Sequence, residues 1–172
     1  GNYGDGAIYP PANDPFVITV GATDDKGTNS ISDDVMASFS AYGLTSDGVK
    51  KPDLVAPGKN ITARLVNQNM GLAYEHPANR VGNEYFRMSG TSMAAPMVSG
   101  AVALLLQDEP GLTPDQVKYR LTVTANKSWA GYNATKSGAG YPDLNAAVGG
   151  TTTSNANTGV MASQLLTTGE AP

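Results

Sequence analysis

The sequence predicts an α/β fold, and three observations carry that reading. Short β-branched runs in the first 65 residues read as buried strands. An unbroken small and apolar stretch over 92–107 reads as a helix. A Thr-Pro-Asp-Gln sequence at 113–116 opens a second helix. Of 172 residues, 40% are hydrophobic and 15% charged, so the chain carries enough apolar surface to build a core. Its 20 Gly and 11 Pro mark many turns, with no Gly repeat.

The elements follow in order. Residues 1–15 are rich in Gly, Pro, Asn and Asp and read as loop. Residues 16–22 form a β-branched run closed by Gly21, a buried strand. Residues 24–34 are polar and turn-like, and 37–42 are small and extended. Residues 53–56 make a strand stopped by Pro57 and Gly58; 61–65 alternate apolar and polar, another strand. Residues 66–82 are polar and read as an exposed loop. Over 92–107, apolar side chains fall on nearly every face, the pattern of a helix buried all round, and 16 residues are too few to cross a membrane comfortably. In the second helix Thr113 is the N-cap, Pro114 suits the first helical position and Gln116 completes a capping box. Val117, Leu121 and Thr124 face one way, while Lys118 and Arg120 are expected in solvent. Residues 143–148 suit one more short helix, and from Gly149 the composition turns to Thr, Ser, Asn and Gly, an extended tail or a linker.

Composition excludes several function classes. With no cysteine there is no disulfide framework, thiolate metal site or cysteine nucleophile, and with His76 as the sole histidine there is no three-histidine metal centre. A net charge of −4 argues against nonspecific binding to nucleic acid or anionic membranes. The chain opens Gly1-Asn2-Tyr3-Gly4-Asp5-Gly6, without an initiator Met or an apolar signal region, and reads as cut from something longer.

The stretch that carries chemistry is Met88-Ser89-Gly90-Thr91-Ser92-Met93-Ala94-Ala95-Pro96. It places the Ser92 hydroxyl at the start of a helix, beside unpaired backbone N–H groups that favour negative charge. Acyl transfer develops an oxyanion in such a place. Gly90 removes a side chain where a substrate carbonyl must approach. Pro96 leaves the Ser92 carbonyl without its usual partner, which is tolerable only near the first turn. From this pattern alone, an ordinary cap on a core helix remains the plainer alternative.

The run Gly90-Thr91-Ser92-Met93-Ala94-Ala95-Pro96, followed by Val98-Ser99-Gly100-Ala101, closely resembles the nucleophile motif of the subtilisin-like serine proteases. Tyr9-Pro10-Pro11-Ala12 with residues 16–22, Ala37-Ser38-Phe39-Ser40, residues 51–58 and residues 112–117 are similar to further family segments in the same order. The resemblance covers residues 1–148 and implies the C-terminal half of a parallel-sheet peptidase domain, with a buried central helix starting at the nucleophile. Residues 149–172 are then a tail. It makes Ser92 the nucleophile and Asn2 an oxyanion donor paired with the Ser92 amide. Tyr3, Ile8, Tyr9, Pro10, Ser89 and Gly90 then contact substrate. Asn2 alone reads as a turn residue, and the 8–12 loop reads equally as simple packing.

The sequence also departs from the family pattern. The catalytic Asp and His of the family precede the Asn, and here nothing precedes Gly1. Met97 stands where the family usually has a non-catalytic His and is expected to serve as a core substitute. Residues 59–87 are longer than the brief turn of shorter members. His76, beside Glu75, is expected to be a surface loop residue and not a replacement base. Asp24, Asp25, Asp33 and Asp34 read as a solvated acidic loop. The resemblance further implies structural calcium held by Pro11, Asn13, Phe16 and Asp53, although Lys51 stands where a second carboxylate is expected. The expected whole is a secreted serine endopeptidase acting on peptide or protein substrates. This chain is expected to be inactive alone and to be completed by an N-terminal fragment or by self-association. A non-catalytic, self-assembling protomer stays open as the alternative.

Overall fold

The computed structural model describes residues 1–160 apart from 7, 68 and 70; the far end of the expected tail, 161–172, lies outside them. Strand β1 is Val20–Asp24, and a single 3-10 turn, Ile31–Asp33, leads to β2, Val35–Met36. Two short pairs of residues follow, β3 (Gly43–Leu44) and β4 (Lys50–Lys51), then β5 (Leu54–Pro57) and β6 (Ile61–Arg64). A short helix α1, Gly71–Glu75, and a 3-10 turn, Pro77–Asn79, precede β7 (Arg80–Val81) and β8 (Tyr85–Met88). Three helices complete the described chain: α2 (Thr91–Asp108), α3 (Pro114–Val123) and α4 (Leu144–Val148).

The fold is α/β around a sheet of order β2-β1-β5. β1 and β5 are parallel, with Val20 opposite Leu54 and Ala22 opposite Ala56, and β2 pairs antiparallel at the end of β1. Side chains alternate across this sheet. Leu54 and Ala56 join Ala22, Ala94, Val98, Leu105, Val117, Leu121 and Ala147 in the core beneath the helices. Val55 points the other way, onto Trp129 and Tyr141. Gly138 lets the 126–141 segment reach that second face: its φ is +55°, and a Cβ there would lie 2.2 Å from the Pro52 carbonyl oxygen.

The helix caps follow the sequence. Thr113 accepts from the Gln116 amide and Gln116 returns the bond, a complete capping box, and Asp143 accepts from the Ala146 amide. Several other expectations are corrected. The strand expected over 16–22 begins only at Val20, and 37–40 form a turn closed by the Ser40 amide on the Ala37 carbonyl. The 66–82 segment contains α1, whose Ala73 is buried, and not loop alone. Lys118 and Arg120 are buried. Lys118 donates to backbone carbonyls of residues 15 and 17, and Arg120 pairs with Glu109 and donates to the Thr152 carbonyl at 2.7 Å. The acidic loop is not simply solvated either. Asp24 is buried against Lys26 and Lys59, and Asp34 is buried under the Tyr141 hydroxyl.

Helix α2 is covered along one side only. Ala94, Val98 and Leu105 are buried, whereas Met97 is 47% and Leu104 52% exposed, so Met97 does not act as a core residue within this chain. The reason is contact: α2 packs chiefly on β1, β5 and α4, and Met97 and Leu104 point away from them. On the edge of α2 opposite Met97 and Leu104 runs a groove of about 460 Å³ lined by Phe16, Ile18, Val20, Ala95, Val102 and Leu106, among others. Beyond residue 149 the chain straps across α3. Thr152 and Thr153 carbonyls accept from Arg120 and Gln116, and Asp115 binds the Ala156 amide and the Asn157 side chain.

Candidate active site

The N-terminal residues reach the helix start because they are pinned beside residues 39–42. Gly4 and Gly6 amides donate to the Phe39 and Tyr42 carbonyls, the Ala41 amide donates to the Gly1 carbonyl, and Asp5 bridges Tyr42 in parallel. From the other side, β5 is followed by Gly58, whose carbonyl accepts from the Gly90 amide at 2.8 Å. Gly58 has no room for a side chain. A Cβ there would come within 2.6 Å of Ala22 Cβ and 2.8 Å of the Gly90 carbonyl oxygen. Two residues further on, the Asn60 amide donates to Ser89 Oγ at 2.9 Å.

These contacts bring Asn2, Ser89, Gly90, Thr91 and Ser92 together. Asn2 Oδ1 accepts from the Thr91 amide at 2.9 Å and from the Thr91 hydroxyl at 3.0 Å. With the oxygen fixed that way, the Nδ2 end faces Gly90, where a Cβ would lie 3.3 Å from it. Gly90 is the N-cap of α2 and offers no side chain to its amides. Ser92 lies in the first turn, where backbone N–H groups lack intrahelical partners, and its residue is exposed. An exposed hydroxyl, a free amide N–H and a side-chain amide N–H thus converge at the positive end of an 18-residue helix. Such an arrangement can hold an acyl group on the hydroxyl and donate hydrogen bonds to its oxyanion.

The other expected site residues divide. Tyr3 and Tyr9 stand exposed and pack edge to face with centroids 6.2 Å apart; Pro10 is exposed and Ile8 half-buried. They form a surface continuous in sequence with Asn2. His76 is exposed between α1 and the 3-10 turn, where its backbone starts that turn. Among the described residues no cluster of three acidic or histidine side chains could hold a metal.

Residues 11–19 are organised differently from the expected cation site. Asp53 Oδ2 accepts from Lys51 Nζ at 2.9 Å and from the Thr19 amide at 2.7 Å, and Lys118 Nζ lies 3.0 Å from Oδ1. Lys51 also donates to the Asp14 and Val17 carbonyls, and Lys118 to those of Pro15 and Val17. Burial pushes the Lys51 ammonium below its ordinary value, against the raising effect of Asp53. The buried Lys118 was missed because no local pattern marks a lysine whose acceptors lie about a hundred residues away.

Comparison with known proteins bears on the same residues. The model of the subtilase family, peptidase S8, matches residues 1–157. The serine protease AprX of Bacillus subtilis is 50% identical over 111 residues, which is 64% of this chain and 25% of AprX. The CspB protease of Clostridium perfringens superposes with a TM-score of 0.63 at 30% identity, covering 84% of this chain and 29% of that one. Fervidolysin of Fervidobacterium pennivorans, a keratinolytic enzyme related to subtilisin, superposes with a TM-score of 0.60 at 35% identity over 83% of this chain and 20% of its own. The chain therefore spans less than a third of each of these relatives. With the family's fold and its own serine at the head of α2, this chain belongs to the subtilase family of serine proteases.

Proposed function

We propose that this chain supplies the nucleophile and oxyanion hole of a secreted serine endopeptidase. The observation that carries the reading is the bond from the Thr91 amide at the head of α2 to Asn2 Oδ1, across 89 positions of sequence and next to Ser92. In the reaction, Ser92 Oγ attacks the scissile carbonyl. Its proton passes to a base, and the Asn2 Nδ2 and the Ser92 amide donate to the developing oxyanion. The base then protonates the leaving amine, and water hydrolyses the acyl-serine. His76 sits exposed at the start of a 3-10 turn within the 59–87 segment and is not assigned as that base. A histidine oriented by an aspartate, both in sequence preceding Gly1, completes the set. Tyr3, Ile8, Tyr9 and Pro10 line the approach of the substrate chain.

The same reading assigns a partner. The apolar surface that α2 leaves uncovered, Met97 and Leu104 on one edge and the groove beside Ala95 and Val102 on the other, fits the N-terminal part of the same protease. Labelling with a fluorophosphonate tests both assignments. Ser92 is expected to label when this chain is joined to the preceding segment and to stay unlabelled alone or as Ser92→Ala. Absence of labelling in the joined protein would instead favour a structural, self-assembling protomer. Light scattering then reports whether α2 is covered by a second copy.

A further inference from the structure

The loop over residues 11–19 has the look of a cation site, with backbone carbonyls and one carboxylate turned inward. Its interior is already filled. Lys51 Nζ has three acceptors, the Asp14 carbonyl at 2.9 Å, the Val17 carbonyl at 3.3 Å and Asp53 Oδ2 at 2.9 Å. Lys118 Nζ donates to the Pro15 carbonyl at 2.7 Å and the Val17 carbonyl at 2.8 Å, and forms an ion pair with Asp53 Oδ1 at 3.0 Å. An ammonium has three N–H donors, so each lysine is fully satisfied only in its charged form. Both side chains are almost wholly buried, 0% and 8% exposed.

We propose that these two ammonium groups, and not a metal ion, are the cation that closes the 11–19 loop. Two positive charges face one carboxylate, so the cluster carries a net charge of about +1, which repels a divalent ion. Both Asp53 oxygens are engaged, one of them also by the Thr19 amide. The calcium implied by Pro11, Asn13, Phe16 and Asp53 therefore does not fit these residues. The clamp also ties three elements together. Lys51 arrives from β4 and Lys118 from α3, and the loop they grip leads into β1. This inference stands apart from the catalytic reading and holds whether or not Ser92 reacts.

Hydrogen exchange over residues 11–19 of the whole chain tests it, read by mass spectrometry in chelator, in millimolar calcium and in lysine variants. Protection of this peptide is expected to be the same with chelator and with calcium. In Lys51→Met and Lys118→Met it is expected to exchange about tenfold faster or more, the loss of one or two buried hydrogen bonds. Faster exchange of this peptide on chelation, reversed by calcium, overturns the proposal. So does unchanged protection in both lysine variants. If a variant fails to fold, the chelator comparison on the unaltered chain still decides.

Discussion

Thr91 donates to Asn2 Oδ1 twice, from its backbone amide at 2.9 Å and from its hydroxyl at 3.0 Å. The pair fixes which end of the Asn2 side chain faces the helix start. Thr91→Val keeps the shape and the amide bond but removes the hydroxyl donor. In the full-length protease, kcat is expected to fall about fivefold to tenfold with KM little changed, because one neutral hydrogen bond is lost from a positioning contact. Steady-state kinetics on a peptide substrate check the split.

Asn2→Leu removes the side-chain N–H proposed above to donate to the oxyanion. The expected loss is about 10²–10³ in kcat, with substrate binding nearly unaffected. Inhibition by a peptide aldehyde, which forms the tetrahedral adduct, should weaken in parallel, whereas a non-covalent substrate-like peptide should bind as before.

Gly58 touches both the sheet and the helix start. Gly58→Ala forces a methyl against Ala22 and the Gly90 carbonyl. The denaturation midpoint is expected to drop by the equivalent of about 1–3 kcal/mol at unchanged m-value. Fluorophosphonate labelling of the joined protein should slow as well, since Gly90 must move.

Arg120 binds the strap at the Thr152 carbonyl and pairs with Glu109. Arg120→Met keeps the buried stem and leaves that carbonyl unpaired, a cost of about 1–3 kcal/mol. Limited proteolysis should then cut within residues 150–157 faster than in the unaltered chain, while the 92–108 helix keeps its protection.

Asp24 gives a pH dependence. Its hydrogen bond with Lys59, reinforced by Lys26, holds the carboxyl at about 2, against an ordinary 3.8. A depressed folded-state value means that the unfolded chain binds the proton first as pH falls. The stabilisation is thus complete above about pH 4 and is lost progressively on acidification through pH 2. Lys59→Met should flatten that part of the stability profile, measured by denaturant midpoints between pH 2 and pH 5.

What was legible in the sequence was local. The strands near 53–56 and 61–65, the Thr113–Gln116 box and the Asp143 cap each depend on neighbours within a few positions, and each is present, although β5 runs through Pro57 where it was expected to stop and β6 buries no alternate face. The failures share the opposite character. Lys118 and Arg120 look like ordinary exposed cations of a helix, yet their partners come from the 15–17 loop and from Thr152. Asp34 is buried because Tyr141 reaches it across 107 positions. Burial and that carboxylate raise the Tyr141 phenol above its ordinary value. The apolar girth of α2 was visible, but its use depends on what covers it, which periodicity does not specify. At the site, the head of α2 was legible from its own residues. The part proposed for Asn2 came only through family resemblance, since a lone asparagine among glycines carries no such signal.

The excursion between β6 and β8 is stapled at its base, Gly58 carbonyl to Gly90 amide and Asn60 amide to Ser89 hydroxyl. Length added or trimmed near its tip is therefore decoupled from the position of Ser92, and costs little in closure entropy. The tip is a site where this scaffold can accept new sequence, a reporter or a recognition element, without disturbing the chemistry below.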